Sequence, residues 1–274
     1  MIPAICLLLL PVRPAAADVY RWTDPAGGVH YADRPQPGAL RIAQTLPAPP
    51  VYHRVSRVHD GDTVILEDGT RVRLLGINAP ELDGPATSAE AGGDAAKLWL
   101  RARIEGHKVR LETDVEIQDA YHRTLAHLFG ENGEHWNLAL VRQGLAVAGI
   151  FPPNLKHADA ITTAQAQAEH ERLGIWADPA YAPRPIASLP QQHSRGWQRW
   201  YGTPAALDYD SSYARLIFTP QVDARIPKQA LNLFPPLQSL LGKSLELRGW
   251  ASRRKQHYSI LLRHPSALAK PAQP

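Results

Sequence analysis

The sequence predicts an α+β protein, in which a small β-barrel with helices packed outside it precedes a second small β-rich domain. Three observations support this fold class. Five strand-like runs and three helical runs are interspersed between residues 51 and 177. Strand-like alternation dominates the last third of the chain, and two proline-rich stretches, residues 44–50 and 178–192, separate these parts.

The predicted elements follow from periodicity. The barrel strands are expected at residues 51–58, 63–67, 70–77, 108–113 and 123–129, and the helices at 87–104, 137–146 and 156–173. The second domain should have strands at 214–219, 222–226, 244–250 and 257–263, with a short helix near 228–233. These elements predict a barrel domain over 51–177, a linker over 178–195 and a basic β-rich domain over 196–270.

Composition and charge restrict the class of protein. Of 274 residues, 44% are apolar and 20% are charged, which argues against a wholly disordered chain. Residues 52–177 carry 13 basic and 18 acidic side chains, whereas residues 178–274 carry 13 basic and 5 acidic ones. This asymmetry predicts that the middle part binds a cation and that the carboxy-terminal third contributes affinity for a polyanion.

The amino terminus is typical of a signal peptide. Residues 2–10 form a short apolar core, and small residues predict cleavage after Ala17. This apolar run is shorter than the ~20 residues needed to span a bilayer, and the alternative is a buried helix start. We therefore expect a signal peptide at residues 1–17 and a periplasmic or secreted protein. The only cysteine, Cys6, lies in this segment, so the mature chain should lack disulfides and cysteine-ligated zinc.

A small hairpin module is expected at residues 18–43. Two β-prone runs, 19–22 and 29–31, flank the turn sequence TDPAGG. The segment resembles a module that follows the signal peptide of many exported bacterial proteins. No chemistry follows from that resemblance, and its aromatic residues are expected to pack the hairpin.

The segment VHDGDTVILEDGTRVRLLGINAPEL, residues 58–82, concentrates charged side chains around one hairpin. Asp68-Gly69 predicts a two-residue turn. In that register Asp62 faces Leu75, and Asp62 and Arg73 are diagonal neighbours on one face, roughly 7–8 Å apart at Cα. This spacing would leave room for an ion or an anionic ligand between them.

Two further residues are expected to complete the hairpin site. A bulge at Gly76 would turn Asn78 onto the same face, and Pro80 would fix the backbone just before Glu81. Carboxylate and amide oxygens suit a hard divalent cation, and arginines suit phosphate oxygens, for which Arg123 offers a second guanidinium. On residue types alone the alternative stays open that the aspartates cap turns and that Arg73 pairs with a surface carboxylate.

Six sequence blocks resemble the staphylococcal nuclease family, in the family's order and spacing. They are VHDGDT (58–63), RLLGINAPE (73–81), GHKVRLE (106–112), DAYHRTLA (119–126), NLALVRQGLA (137–146) and RLGIW (172–176). The resemblance covers about residues 51–177. It implies a five-stranded oligonucleotide-binding (OB) barrel with three helices, and a calcium-dependent phosphodiesterase acting on DNA and RNA.

The resemblance also implies a calcium site. Asp62 matches a direct ligand, Asp60 matches a residue that holds the ion through water, and Ala79 would contribute its backbone carbonyl. Asn78 stands where the family usually has a second metal-binding aspartate. The amide keeps an oxygen but removes one negative charge, so a weakened site is expected.

Catalytic and substrate-binding residues are implied in the same way. Arg73 and Arg123 match the two arginines on the scissile phosphate, and Glu81 matches the carboxylate usually cast as general base. Only Tyr121 and Phe151 remain as stacking aromatics, where the family has further tyrosines.

One substitution affects the approach to Arg123. His122 replaces the usual glycine before this arginine, which should restrict the backbone that aims it.

Two other functions stay open. A nucleic-acid-binding barrel with lost catalysis would account for Asn78 and for the few aromatics, and a cell-envelope scaffold rests only on the amino-terminal module. The basic stretch between Arg248 and Tyr258 is expected either to contact phosphates or to form a solvated hairpin.

Overall fold

A computed structural model describes residues 19–42, 49–83, 89–191 and 196–270. The signal peptide expected at residues 1–17 lies outside these ranges. The chain divides into two compact units, residues 1–50 and 51–274, each taken by itself below. In the described ranges, no helix has the length and apolar character needed to cross a membrane.

The first unit is a three-stranded antiparallel sheet in the order β2-β1-β3. Its strands are β1 (Val19–Thr23), β2 (Val29–Ala32) and β3 (Leu40–Ile42). The Asp24 carboxylate closes the β1–β2 turn, because it accepts hydrogen bonds from the backbone N–H groups of Ala26 (2.9 Å) and Gly28 (2.8 Å). The expected hairpin is present, and β3 is a strand that the sequence analysis missed.

The second unit begins with a closed barrel in the order β4-β5-β6-β9-β8. Its elements in chain order are β4 (Tyr52–Val58), β5 (Thr63–Leu66), β6 (Arg71–Leu74), β7 (Gly76–Asn78), α1 (Gly93–Ile104), β8 (Lys108–Glu112), β9 (Thr124–Gly130), α2 (Trp136–Arg142), β10 (Val147–Gly149) and α3 (Ala158–His170). Only β6 and β9 pair in parallel among the barrel neighbours. The α+β class expected from the sequence is confirmed.

The barrel core explains why these strands and helices form. Val55, Val64, Val72 and Leu128 are fully buried at alternating strand positions, as expected for side chains that fill a small barrel. On α1, the residues Ala96, Leu100 and Ile104 recur every fourth position and are also fully buried. The helix therefore covers the barrel with one apolar stripe.

The turn between β5 and β6 differs from the expected two-residue turn. Leu66 donates its N–H to the carbonyl of Thr70 at 2.9 Å, so three residues form the loop, and Gly69 has φ +85°. Thr63 consequently lies opposite Arg73. The expected register was wrong by one residue, because a three-residue loop with a left-handed glycine was mistaken for a two-residue turn.

The expected bulge at Gly76 is instead the point where the chain leaves the barrel. β7 starts at Gly76 and pairs with β10 in a separate two-stranded sheet, in which Asn78 lies opposite Val147. Asn78 is buried there, beside the end of β6. The chain thus brings Asn78 to the site by changing sheets.

The carboxy-terminal part contains two sheets, in the orders β11-β12-β16-β19 and β13-β14-β15-β18-β17. Their strands are β11 (Arg184–Pro185), β12 (Gln198–Gly202), β13 (Ala206–Tyr209), β14 (Tyr213–Thr219), β15 (Val222–Pro227), β16 (Leu245–Gly249), β17 (Ala251–Arg254), β18 (His257–Leu261) and β19 (Leu268–Ala269). The short helix expected near 228–233 is a 3₁₀ helix, Lys228–Leu233.

The segment expected as a linker has buried side chains of its own. Ile186 and Leu189 lie in the core of the carboxy-terminal part. Tyr181 and Trp176 pack against Trp197, with ring centroids 6.1 Å from the Trp197 ring in each case. We call this aromatic contact the seam, and it joins the barrel part to the carboxy-terminal part within one compact unit.

A buried ion network lies beside the seam. Arg199 forms a bidentate pair with Glu246 (2.8 and 2.9 Å), and Arg248 bonds both Glu246 (2.7 Å) and Glu169 of α3 (2.9 Å). Arg199 also donates to Glu169. Two arginines of the basic carboxy-terminal third are therefore used internally, which reduces the positive charge available to a polyanion.

Candidate active site

The centre of the candidate site is a buried ion pair. A terminal nitrogen of Arg73, Nη2, lies 3.0 Å from Asp62 Oδ2, and the two side chains are 15% and 10% exposed. Sequence reasoning expected an open space between them. That expectation was wrong, because the guanidinium itself occupies the space.

The remaining donors of Arg73 are fixed by the end of β6 and by β7. Nη1 donates to the carbonyls of Leu74 (2.9 Å) and Ile77 (3.0 Å), and Nη2 donates to Asn78 Oδ1 (3.1 Å). Within the described residues no hydrogen bond uses Nε. Arg73 is thus held by its terminal nitrogens and keeps its Nε–H available.

Asn78 and Ala79 are drawn into the same cluster. The Ala79 N–H donates to Asp62 Oδ2 at 2.8 Å, and Asn78 Nδ2 donates to the Ala79 carbonyl at 3.1 Å. Gly61 permits this approach, since a Cβ there would lie 2.5 Å from the Ala79 Cβ and 2.7 Å from the Ala96 Cβ. The Asn78 side chain and the Ala79 carbonyl, both expected at a metal site, therefore lie beside Asp62. Each of their oxygens already accepts a hydrogen bond.

Asp60 and Glu81 add negative charge around Asp62. Burial raises the pKa of Asp62 to about 6, and the charges of Asp60 and Glu81 act in the same direction against the opposing Arg73. Partial desolvation and the charges of Asp60 and Glu90 raise the pKa of Glu81, although its side chain is exposed. Neighbouring negative charge thus destabilises the charged forms of Asp62 and Glu81, and a bound cation would relieve this repulsion.

Arg123 lies immediately before β9 and faces the site. Arg73 lies opposite Leu125 in the parallel β6–β9 pair, so Arg123, two residues earlier, is on the same face. Its Nε donates to Asp119 Oδ2 at 2.7 Å, and its N–H donates to Asp119 Oδ1 at 2.9 Å. Arg123 is therefore held by Nε, and within the described part of the chain its terminal nitrogens have no hydrogen-bond partner.

Both arginines line one cavity of about 360 Å³. Asn78, Asp119 and Phe151 also contribute to its wall. The Asn154 amide fixes one side of this wall, because it exchanges hydrogen bonds with the backbone of Glu116 at 2.8 and 3.0 Å. The loop before Arg123 and the turn that carries Phe151 are thus tied together.

The two expected stacking residues have different positions. Phe151 is 40% exposed and lines the cavity. Tyr121 is 78% exposed, does not line the cavity, and lies under Arg123, whose Cζ is 5.6 Å from the ring centroid. His122 has a left-handed backbone (φ 60°), which is consistent with the expected glycine-favouring conformation.

Three positioning residues were missed from the sequence. Asp119 holds Arg123, Asn154 holds the cavity wall, and Glu90 accepts hydrogen bonds from the N–H groups of Glu81 (3.1 Å) and Trp197 (3.2 Å). The Asp119 contact could have been predicted, because an aspartate four residues before an arginine in a turn is a local pattern. The other two join segments distant in sequence, and no local pattern predicts them.

The donor chemistry fits a hard cation with few protein ligands. In the described ranges, no three His, Cys, Asp or Glu side chains form a group that could hold a metal. The available oxygens are those of Asp60 and Asp62, with Asn78 Oδ1 and the Ala79 carbonyl nearby. Oxygen-only sites with few protein carboxylates suit Mg²⁺ or Ca²⁺, with water and substrate completing the shell.

Comparisons with known proteins identify the family of this chain. Residues 71–178 match the family model described as staphylococcal nuclease homologue, and residues 6–51 match a domain of unknown function (DUF4124). A thermonuclease of Staphylococcus intermedius is 42% identical over 125 residues, which is 44% of this chain and 74% of the relative. A thermonuclease of Staphylococcus hyicus is 36% identical over 129 residues, covering 46% of this chain and 76% of the relative. The chain belongs to the staphylococcal nuclease family.

Proposed function

We propose that the protein is an exported, calcium-dependent nuclease that hydrolyses phosphodiester bonds of DNA or RNA. The observation that carries this proposal is that Arg73 and Arg123 line one cavity beside a group of mutually repelling carboxylates. The names of the two thermonuclease relatives support it.

The cation would be held by Asp62 directly and by Asp60 through water, with Asn78 Oδ1 and the Ala79 carbonyl as further oxygens. When bound, it would supply positive charge that neutralises phosphate oxygens and offsets the repulsion among the carboxylates. Asn78 supplies no charge of its own, so the site should be weaker than one with a second aspartate.

The two arginines offer complementary donors to a phosphate. Arg73 is fixed by its terminal nitrogens and presents Nε–H, whereas Arg123 is fixed by Nε and presents its terminal nitrogens. Donors whose positions are set before the substrate arrives stabilise developing charge without reorganisation. Glu81, whose pKa is raised toward neutrality, would take a proton from the attacking water.

The test is the release of acid-soluble nucleotides from DNA and RNA by the wild type, by Arg123→Ala and by a control. Arg101→Ala is the control, because Arg101 is exposed on α1. We expect Arg123→Ala to lower the rate by about 10²–10³-fold, as for the loss of other charge-stabilising donors. Chelation of calcium should abolish activity in the wild type. Equal rates in the wild type, with chelator and in Arg123→Ala would overturn the proposal.

A second candidate is a nucleic-acid-binding barrel without catalysis. It is favoured by the side chain of Asn78, whose oxygen accepts from Arg73 and whose nitrogen bonds the Ala79 carbonyl. A wild type that binds oligonucleotides but releases no nucleotides, with or without calcium, would support this candidate.

Export is part of the proposal and rests on the residues before the first unit. Cleavage after Ala17 should produce a mature chain that starts at Asp18. Amino-terminal sequencing of the protein recovered from the periplasm or medium tests this. Recovery only from the cytoplasm, with residues 1–17 intact, would contradict it.

A further inference from the structure

One arginine of the carboxy-terminal part reaches the rim of the candidate cavity. The Cζ atom of Arg263 lies 5.3 Å from the ring centroid of Phe151. Phe151 lines the same cavity as Arg73 and Arg123. A residue outside the segment matched by the nuclease family model is therefore next to the candidate active site.

The position of Arg263 is fixed by the contacts between the two parts. Glu169 of α3 bonds Arg199 and Arg248, and Trp197 packs on Trp176 across the seam. Because the seam and the ion network hold the carboxy-terminal part against α3, Arg263 lies at a set place beside Phe151.

The guanidinium of Arg263 is available to a ligand. Its side chain is exposed, and in the described part of the chain no hydrogen bond or ion pair engages it. Contact with an aromatic face orients a guanidinium while leaving its N–H groups free, and a planar guanidinium is well suited to phosphate oxygens.

Phe151 supplies the second half of a nucleotide-binding surface. Its ring is 40% exposed, so part of the ring remains open for a base. The Asn154–Glu116 hydrogen bonds hold this turn against the loop that carries Arg123. An aromatic ring with an adjacent arginine is a sequence-tolerant platform for a single-stranded nucleotide.

We propose that Phe151 and Arg263 bind the nucleotide next to the scissile phosphate, with its base on the ring and its phosphate on the guanidinium. This proposal rests on the proposed function and adds a substrate-binding residue from the carboxy-terminal part. The substrate is a single strand, because only an unpaired base can stack on a side chain.

The experiment compares Arg263→Ala and Arg263→Lys in the full chain. Lys243→Ala is the control, because Lys243 is also basic and exposed in the carboxy-terminal part and lies outside the basic stretch between Arg248 and Tyr258. Each protein is assayed in calcium with a short thymidine oligonucleotide and with bis(4-nitrophenyl) phosphate, which has no neighbouring nucleotide. Oligonucleotide binding is also measured at several salt concentrations in a Glu81→Gln background, which prevents cleavage.

We expect Arg263→Ala to raise the oligonucleotide KM about tenfold with little change in kcat, and to leave the small diester unaffected. The salt slope of oligonucleotide binding should fall by about 0.7, the value for one phosphate contact on a single strand. Arg263→Lys should keep the slope and recover part of the affinity, because it keeps the charge but loses the planar contact.

Three results distinguish failure of this inference from failure of the proposed function. If Arg263→Ala behaves like Lys243→Ala while the wild type cleaves the oligonucleotide, the nucleotide-binding role is wrong. A lower Tm without a change in KM or salt slope would assign Arg263 to packing alone and also overturn the role. A wild type that hydrolyses neither substrate would overturn the proposed function itself.

Discussion

Two clusters of acids and arginines in this molecule differ in their balance of charge. Beside the seam, two carboxylates, Glu169 and Glu246, bond two arginines, Arg199 and Arg248, so charges balance. At the candidate site Asp62 has one arginine at bonding distance, while the charges of Asp60 and Glu81 add to its repulsion. The seam network and the Asp62–Arg73 pair are largely buried, but only the candidate site has an excess of negative charge.

The difference shows how structural and functional ion pairs can be told apart. A balanced buried network is strongly destabilised by the loss of one member, because its partners are left charged and desolvated. An acidic excess that raises carboxylate pKa values is unfavourable for stability and becomes favourable only when a cation binds. Without a cation, the candidate site therefore lowers the stability of the fold, whereas the balanced seam network does not.

The largest expected effect tests the seam network. Glu246→Gln should lower the free energy of unfolding by about 3–5 kcal/mol, because Arg199 and Arg248 would lose a fully buried carboxylate. Urea denaturation measures the loss. The matched control is Glu131→Gln, since Glu131 is exposed. Hydrolysis of bis(4-nitrophenyl) phosphate per folded molecule should be unchanged, because that substrate does not use Arg263. A loss of less than about 1 kcal/mol would contradict the contrast drawn above.

A smaller change in the free energy of unfolding, this time a gain, is expected when Asp62 is replaced in the metal-free protein. The pKa of Asp62 in the folded protein is about 6, above its ordinary value of 3.8, so its stabilising contribution is complete below 3.8 and is lost as pH rises through about 6. Relative to the wild type, Asp62→Asn should thus gain about 1–3 kcal/mol between pH ~4 and ~7. Urea denaturation in chelator at several pH values measures this difference.

Two histidines contribute a pH dependence of stability that has the opposite sign. Burial lowers the pKa of His127 to about 4 and that of His135 to about 3, so their contribution is present above 6.5 and is lost as pH falls toward 4. This pH dependence is common to the wild type and Asp62→Asn, so it cancels in their difference. A difference that does not vary with pH would show that Asp62 carries no electrostatic penalty.

The smallest effect concerns the charge of the cation site. Asn78→Asp should tighten calcium binding by about tenfold, because ligand charge count tunes affinity. Isothermal titration calorimetry measures the dissociation constant directly. Asn132→Asp, an exposed loop position, is the control for a general effect of charge. Unchanged affinity would mean that position 78 does not contact the cation.

The barrel elements were largely predictable, because their signals are local. Alternation and four-residue periodicity located all five barrel strands and three helices, with boundaries off by a few residues. The short strands β3, β10, β11, β12, β13, β17 and β19 were missed. They are two to five residues long, and their pairing depends on partners elsewhere in the chain.

The residues of the site were easier to predict than their contacts. Arg73, Asp62 and Asn78 do meet, but the sequence could not show that a three-residue loop changes the register or that the guanidinium fills the expected space. Arg263 was not predictable at all. Its place beside Phe151 depends on how the carboxy-terminal part packs, which no local pattern encodes.

The Glu90 bridge has a consequence for the order in which the chain acquires its structure during synthesis. Glu90 accepts from Glu81 and from Trp197, which is 107 residues further along the chain. At ~5–20 residues per second, about 5–20 s separate the emergence of these two ends from the ribosome. The barrel strands, which end at Gly130, can pair well before then. The backbone around Glu81 therefore receives its last support only when the carboxy-terminal part has been made.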